Sequence, residues 1–125
     1  MPRSYRDLKA WQSAMRLAAE CDALVLGFPR RGPAGLVAQL ERAAGSIAAN
    51  IAEGCGRRSQ PDFRRHLSIA NGSLLELETH IIRAAQNGLV KPSELTRVLA
   101  ISAETGRLLT GLNRWLEAEA RSNVR

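Results

Sequence analysis

The stretch Ser46-Ile47-Ala48-Ala49-Asn50-Ile51-Ala52-Glu53-Gly54-Cys55-Gly56-Arg57-Arg58 decides how the rest of this sequence is read. At about 100° per residue, Leu36, Leu40, Ala43, Ile47 and Ile51 fall on one face of a helix, with Gln39, Ser46, Asn50 and Glu53 along its flank. The far side carries Ala38, Gly45, Ala49 and Ala52, where a helix facing water carries Lys and Glu. The expectation is a helix enclosed on nearly every side. Asn50 and Glu53 then need fixed partners, since an unpaired polar group in such a place costs about 1–3 kcal/mol. Gly54, Cys55 and Gly56 are expected to end the helix and deliver Arg57 and Arg58 to the surface.

On the N-terminal side, Leu8, Trp11, Met15, Ala18, Cys21, Val25 and Phe28 recur three or four apart and predict an amphipathic helix that stops at Gly27-Phe28-Pro29. Arg30, Arg31, Gly32 and Pro33 form a turn, with Pro33 suited to the first turn of the next helix. On the C-terminal side, Ser59 and Asp62 resemble a capping box, with Pro61 in the first turn. Phe63, Leu67, Ala70, Leu74, Leu77, Ile81 and Ala84 then hold an unbroken a/d register up to Asn87-Gly88, a left-handed helix stop. Pro92 opens a last helix through Leu95, Val98, Ser102, Thr105, Leu109, Leu112 and Leu116, interrupted by two polar positions and weakened by Gly106 and Gly111. The reading is all-α: one domain over residues 1–125, an antiparallel up-and-down four-helix bundle with helices at roughly 5–27, 34–54, 60–87 and 92–119 and a frayed tail.

The chain has 125 residues and a formal net charge of +6, so one core fits and the charge suits anionic partners, although many basic proteins bind nothing acidic in particular. Lys9 and Lys91 are the only lysines; arginine, which pairs bidentately with phosphate, supplies the rest, and a GC-rich genome would give the same bias. Two cysteines, Cys21 and Cys55, make no disulfide framework and fit a reducing cytoplasm. No apolar run reaches the roughly 20 residues that span a bilayer. The start of the chain lacks the apolar segment of a signal peptide. A cytoplasmic protein with no membrane partner is expected.

The run Ser46 to Gly54, then Gly56-Arg57 and Ser59, Phe63 and Leu67, Ile69-Ala70, Gly72-Ser73-Leu74 and Glu76-Leu77-Glu78 resembles the four-helix-bundle family of 23S rRNA intervening-sequence proteins. Tyr5-x-Asp7-Leu8 with Trp11-Gln12, and Phe28-Pro29 with Gly35-Leu36 and Gln39-Leu40, are similar to the start of that family. Arg30 to Ala34 depart from it, because the family usually has an acidic residue after the proline and an aromatic before the Gly-Leu pair. The resemblance implies a bundle that assembles as a ring-like homopentamer. It also implies kinship with the accessory variability protein of diversity-generating retroelements, a basic pentamer that binds nucleic acid and a reverse transcriptase.

Ser46, Asn50, Glu53, Ser73 and Glu76 either line a site or form a structural polar network that locks two helices, and the second is favoured, with Arg57 or Arg42 as the cation. No catalytic Ser, His or Cys arrangement accompanies the carboxylates, so no enzyme is expected. Glu76 and His80 share a face, but a bundle di-iron site needs Glu-x-x-His pairs, which the sequence lacks. Both histidines are read as exposed or hydrogen-bonded; no metal or cofactor is expected. Arg57, Arg58, Arg64 and Arg65 gather at a helix N-terminus, where free N–H groups already favour phosphate, and are the leading nucleic-acid-binding candidates. Arg30 and Arg31, with Arg3, Arg6, Lys9 and Arg16, add charge on the first helix and its loop. With Trp11 and Trp115 assigned to the core, no aromatic platform stacks bases, so binding should be electrostatic and salt-dependent. The leading function is a non-enzymatic homo-oligomer that binds RNA or DNA through arginines, as a chaperone or adaptor. The alternative is a protein–protein scaffold for a reverse transcriptase or ribosome-associated factor.

Overall fold

The computed structural model describes residues 4–122. A single 3-10 turn, Tyr5–Asp7, precedes α1 (Lys9–Leu26), α2 (Leu36–Cys55), α3 (Gln60–Gln86) and α4 (Pro92–Ser122), and no strand occurs among the described residues. The predicted helix from residue 5 breaks at Leu8, which is extended. Ser4 caps the short turn by accepting from the Arg6 N–H, and the Leu8 N–H donates back to the Tyr5 carbonyl. Arg3 lies outside the described residues.

Among the described residues the close backbone approaches run α1 to α2, α2 to α3, α3 to α4 and α4 back to α1, so each helix neighbours two others. Side-chain pairs give the directions. Arg42 meets Glu76 while Glu53 meets His66, so α2 and α3 are antiparallel. Arg64 meets Glu117 while Glu78 meets Ser102, so α3 and α4 are too. Glu20 meets Arg97 and Ser13 meets Thr105, which sets α1 against α4 in the same sense. The centre is filled by Leu17, Leu36, Leu40, Ile47, Ile51, Phe63, Leu77, Ile81, Val98 and Leu116, all fully buried. Each contributes roughly 1.5–3 kcal/mol by leaving water.

The two polar interruptions of α4 are buried and satisfied. Ser102 donates to Glu78, and the Thr105 hydroxyl lies 2.7 Å from that of Ser13 and 2.9 Å from the Ile101 carbonyl. The α3 stop forms as expected: Gly88 is left-handed at φ 74°, the Gly88 N–H donates to Ala85 and the Leu89 N–H to Ala84. Ser59 accepts from the Asp62 N–H at 3.2 Å, which completes one arm of the expected box. The Asp62 carboxylate turns instead to Arg65.

Two expectations for α2 need correction, and a third gains detail. Pro33 is outside the helix, because the left-handed Gly35 (φ 81°) turns the chain into Leu36. The helix ends within Gly54-Cys55-Gly56 as expected, at Cys55 with Gly56 as its cap, but Gly54 itself is a buried helical residue on which α3 rests. A Cβ there would come within 2.8 Å of His66 Cβ, 2.9 Å of Phe63 Cδ1 and 3.2 Å of the Phe63 carbonyl oxygen. The small-residue side is not enclosed by the chain's own bundle either: Ala38, Gly45 and Ala49 are exposed and Ala52 is half-buried. Their pattern shows only that these side chains are short, and shortness does not say which neighbour uses the space.

Gly45 has nothing within 4 Å of a built Cβ. Gly45→Ala is therefore expected to stabilise an isolated chain by up to about 1 kcal/mol through helix propensity. If a second copy packs closely on this face, the same substitution lowers the mass measured by light scattering instead. The two readouts separate a wet face from a mated one.

Trp115 is also corrected. It is 38% exposed, because α4 turns it away from the core that Leu116 fills. Trp11 is half-buried against the core and meets Tyr5 edge-on, with ring centroids 5.1 Å apart.

Candidate nucleic-acid interface

The α2–α3 loop brings Arg57, Arg58 and the first turns of α3 to one end of the bundle, as chain order requires. Arg57 Nη2 is 3.1 Å from Glu53 Oε2, and its other terminal nitrogen is 3.9 Å from Asp62. Arg65 pairs with Asp62 at 3.2 Å and Arg64 with Glu117 at 3.2 Å. Arg58 is exposed and makes no ion pair among the described residues. These four arginines therefore differ: three have a carboxylate at hand and one is free for an incoming anion.

Arg30 and Arg31 lie at the opposite end. Arg30 donates to the Asn87 carbonyl at 2.6 Å and ties the α1–α2 loop to the end of α3. Arg31 is exposed, with no ion pair among the described residues. With α2 between them, the two ends stand about 30 Å apart at 1.5 Å per residue. The six candidate arginines form two poles rather than one patch. Sequence proximity to a loop does not tell which end that loop occupies until the helices are paired.

The five polar residues divide into three groups. Ser46 and Ser73 share a hydroxyl–hydroxyl bond of 2.8 Å across α2 and α3, and Asn50 donates to the Ser46 carbonyl and hydroxyl at 2.9 and 3.0 Å. Glu76 accepts from Arg42 at 3.2 Å and lies 3.5 Å from His80 Nε2. Glu53 faces Arg57 and His66, and its side chain is 53% exposed, so it rims the surface rather than sitting in the core.

His66, read from the sequence as exposed or hydrogen-bonded, is hydrogen-bonded and buried. It lies on the α3 stripe beside Phe63 and Leu67, and its side chain is only 4% exposed. Its Nδ1 is 2.9 Å from the Asp62 carbonyl oxygen and its Nε2 3.0 Å from Glu53 Oε2. A carbonyl oxygen only accepts, so the Nδ1 side of the ring donates to Asp62, and the ring ties the start of α3 to the end of α2. Arg57, and then His66, hold the Glu53 carboxyl below the usual carboxylate range. The usable signal was the register, because His66 falls three residues after Phe63 on the buried side.

Both thiols are pushed away from the thiolate form. Burial, then Asp22 and Glu20, push Cys21 up to about 12, and burial followed by Asp7 raises Cys55. No group of three metal-ligating side chains occurs among the described residues, and no described helix is long and apolar enough to cross a membrane.

Comparison with known proteins places this geometry among relatives. Residues 6–111 match the family described as 23S rRNA-intervening sequence protein. A crystal structure from Bacteroides thetaiotaomicron, a protein of unknown function from the S23 ribosomal protein family, superposes with a TM-score of 0.75 at 20% identity. The match covers 83% of this chain and 97% of that one, and at this identity it shows a shared fold. No curated protein matches the chain.

Proposed function

Given that the chain belongs to the family of 23S rRNA-intervening sequence proteins, we propose that it acts without catalysis, as a homo-oligomer in a reducing cytoplasm that holds structured RNA by its phosphates. The observation that carries the reading is the α2–α3 corner, where Arg58 stands unpaired beside Arg57 and Arg65 at the start of α3. Backbone N–H groups at a helix start add to its pull on an anion. Repetition around an assembly, as a ring of five would provide, turns weak contacts into useful avidity.

Filter binding of rRNA fragments and of duplex DNA across a salt series tests this. Log affinity is expected to fall linearly with log salt. Arg58→Ala should flatten the slope by about 1 for each phosphate that is no longer neutralised, and more than Arg64→Ala, whose guanidinium already has Glu117. Absence of binding at low salt overturns the proposal.

A scaffold role has its own support. Ile69, Leu75 and Ile82 are exposed along α3, where a protein such as a reverse transcriptase or ribosome-associated factor would find apolar anchors. Retention of a protein partner that survives nuclease treatment and high salt would favour this second reading.

A further inference from the structure

A groove between α3 and α4 is chemically unlike the arginine corner. It forms an open cleft of about 350 Å³ whose wall includes Arg64, Leu67 and Asn71 from α3 and Leu109, Thr110 and Asn113 from α4. That volume falls in the range of small-ligand sites. Four of these groups define what it can hold.

Arg64 contributes a donor without a partner. Its Nη2 is held by Glu117 Oε1 at 3.2 Å, whereas its Nε is buried and has no hydrogen-bond partner. A buried donor left open costs about 1–3 kcal/mol, which a ligand acceptor would recover. Glu117 Oε1 also accepts from Asn113 Nδ2 at 3.1 Å, which leaves the Asn113 carbonyl oxygen free to accept. Asn71 is exposed and makes no side-chain hydrogen bond among the described residues, so its carboxamide offers both a donor and an acceptor. Leu67 and Leu109, both 3% exposed, supply an apolar floor.

The Glu117 carboxylate cancels the Arg64 charge, so the wall is neutral and does not favour a free phosphate or carboxylate. It suits an uncharged ligand with an apolar face and an edge that alternates acceptors and donors. That is the chemistry of a nucleobase, and asparagine carboxamides match such edges bidentately. Asn71 and Thr110 also line an adjoining cavity of about 580 Å³, which is rimmed by Arg107 and Arg114. Arg114 is exposed and has no ion pair among the described residues, so it is available to a phosphate.

We propose that the α3–α4 groove receives an unpaired nucleobase of a bound RNA, with the edge read by Asn71 and Asn113, an acceptor taken by Arg64 Nε, and the attached phosphate led toward Arg114. The inference rests on the RNA reading above but adds an interaction that salt does not govern. Binding at the groove is hydrogen-bonded and apolar, whereas binding at the α2–α3 corner is ionic.

The test is a titration of the ¹⁵N-labelled full chain with adenosine, cytidine, guanosine and uridine, which carry no phosphate. The side-chain amides of Asn71 and Asn113 and the Arg64 Nε–H are expected to shift with at least one of them, to the same extent between about 50 and 200 mM salt. Thr110→Phe, which fills the groove from an exposed position, should weaken the response by about tenfold or more. Its circular dichroism and thermal midpoint should be unchanged. Asn71→Ala, also at an exposed position, gives the same comparison if the first variant folds poorly. Silence of those resonances with all four nucleosides overturns the proposal, as does a response to acetamide alone, which would point to a peptide carboxamide. If rRNA fragments still bind in the same preparation with a steep salt slope, the groove has failed and the electrostatic reading stands.

Discussion

Gly54→Ala is expected to lower the unfolding free energy by about 2–3 kcal/mol, net of the roughly 1 kcal/mol that alanine gains in helix propensity. The reason is the anchorage of its neighbours. A methyl at that position meets His66 Cβ at 2.8 Å and the Phe63 carbonyl oxygen at 3.2 Å, and neither is the free end of a flexible side chain. Relief requires α2 and α3 to part at the level of Phe63, which is 1% exposed. Urea denaturation followed by circular dichroism measures the effect as a fall in midpoint at constant slope. A loss below about 0.5 kcal/mol, the usual range for a surface change, would mean that the approach is looser than described. If the proposed RNA binding at this corner holds, the same variant should weaken it, because Arg57 and Arg58 hang from there.

His66→Ala is expected to cost about 2–3 kcal/mol, since it leaves a void beside Phe63 and removes the ring that joins the Asp62 carbonyl to Glu53. Glu53→Gln probes the other side of the pair through pH. In the native chain Arg57 and His66 keep the Glu53 carboxyl below its ordinary range, so between the native and ordinary values the unfolded chain binds more protons. Stability therefore rises with pH across that window. Its contribution is complete above the ordinary carboxylate range and is lost as pH falls through the depressed native value. The two chains should accordingly differ most at neutral pH and converge in acid, as read from thermal midpoints along a pH series. A difference that grows toward acid would contradict the assigned pairing.

Much of the bundle was legible because α3 repeats its apolar residues without a break and carries chemically specific ends. Ser59 caps its start, and Asn87-Gly88-Leu89 closes it with two backbone bonds. The polar groups of α2 were legible as groups that need partners, and Arg42 and Arg57 were named as the available cations. What escaped were neighbours. Gly54 reads as a helix breaker in one dimension, whereas its role is set by Phe63 and His66, which arrive only when α3 folds back. Trp115 shares a turn with Leu116, and one residue of rotation separates the wet position from the dry one. Arg31 and Arg58 look alike as loop cations, yet antiparallel pairing sends them to opposite ends. The groove was invisible for the same reason, since Asn71 and Asn113 are adjacent only across two helices.

The hydroxyl bonds of Ser13 with Thr105 and of Ser102 with Glu78 have a further consequence for α4. Leucine stripes are nearly periodic, so a helix glued by them alone could slip lengthwise by one turn and still bury its oily side. Slipping α4 would carry Thr105 and Ser102 past their mates: Thr105 keeps the Ile101 carbonyl of its own helix, but Ser102 loses Glu78 and is stranded at about 1–3 kcal/mol. They act as the teeth of a key: they add little grip, but they admit one alignment of the longest rod in the molecule.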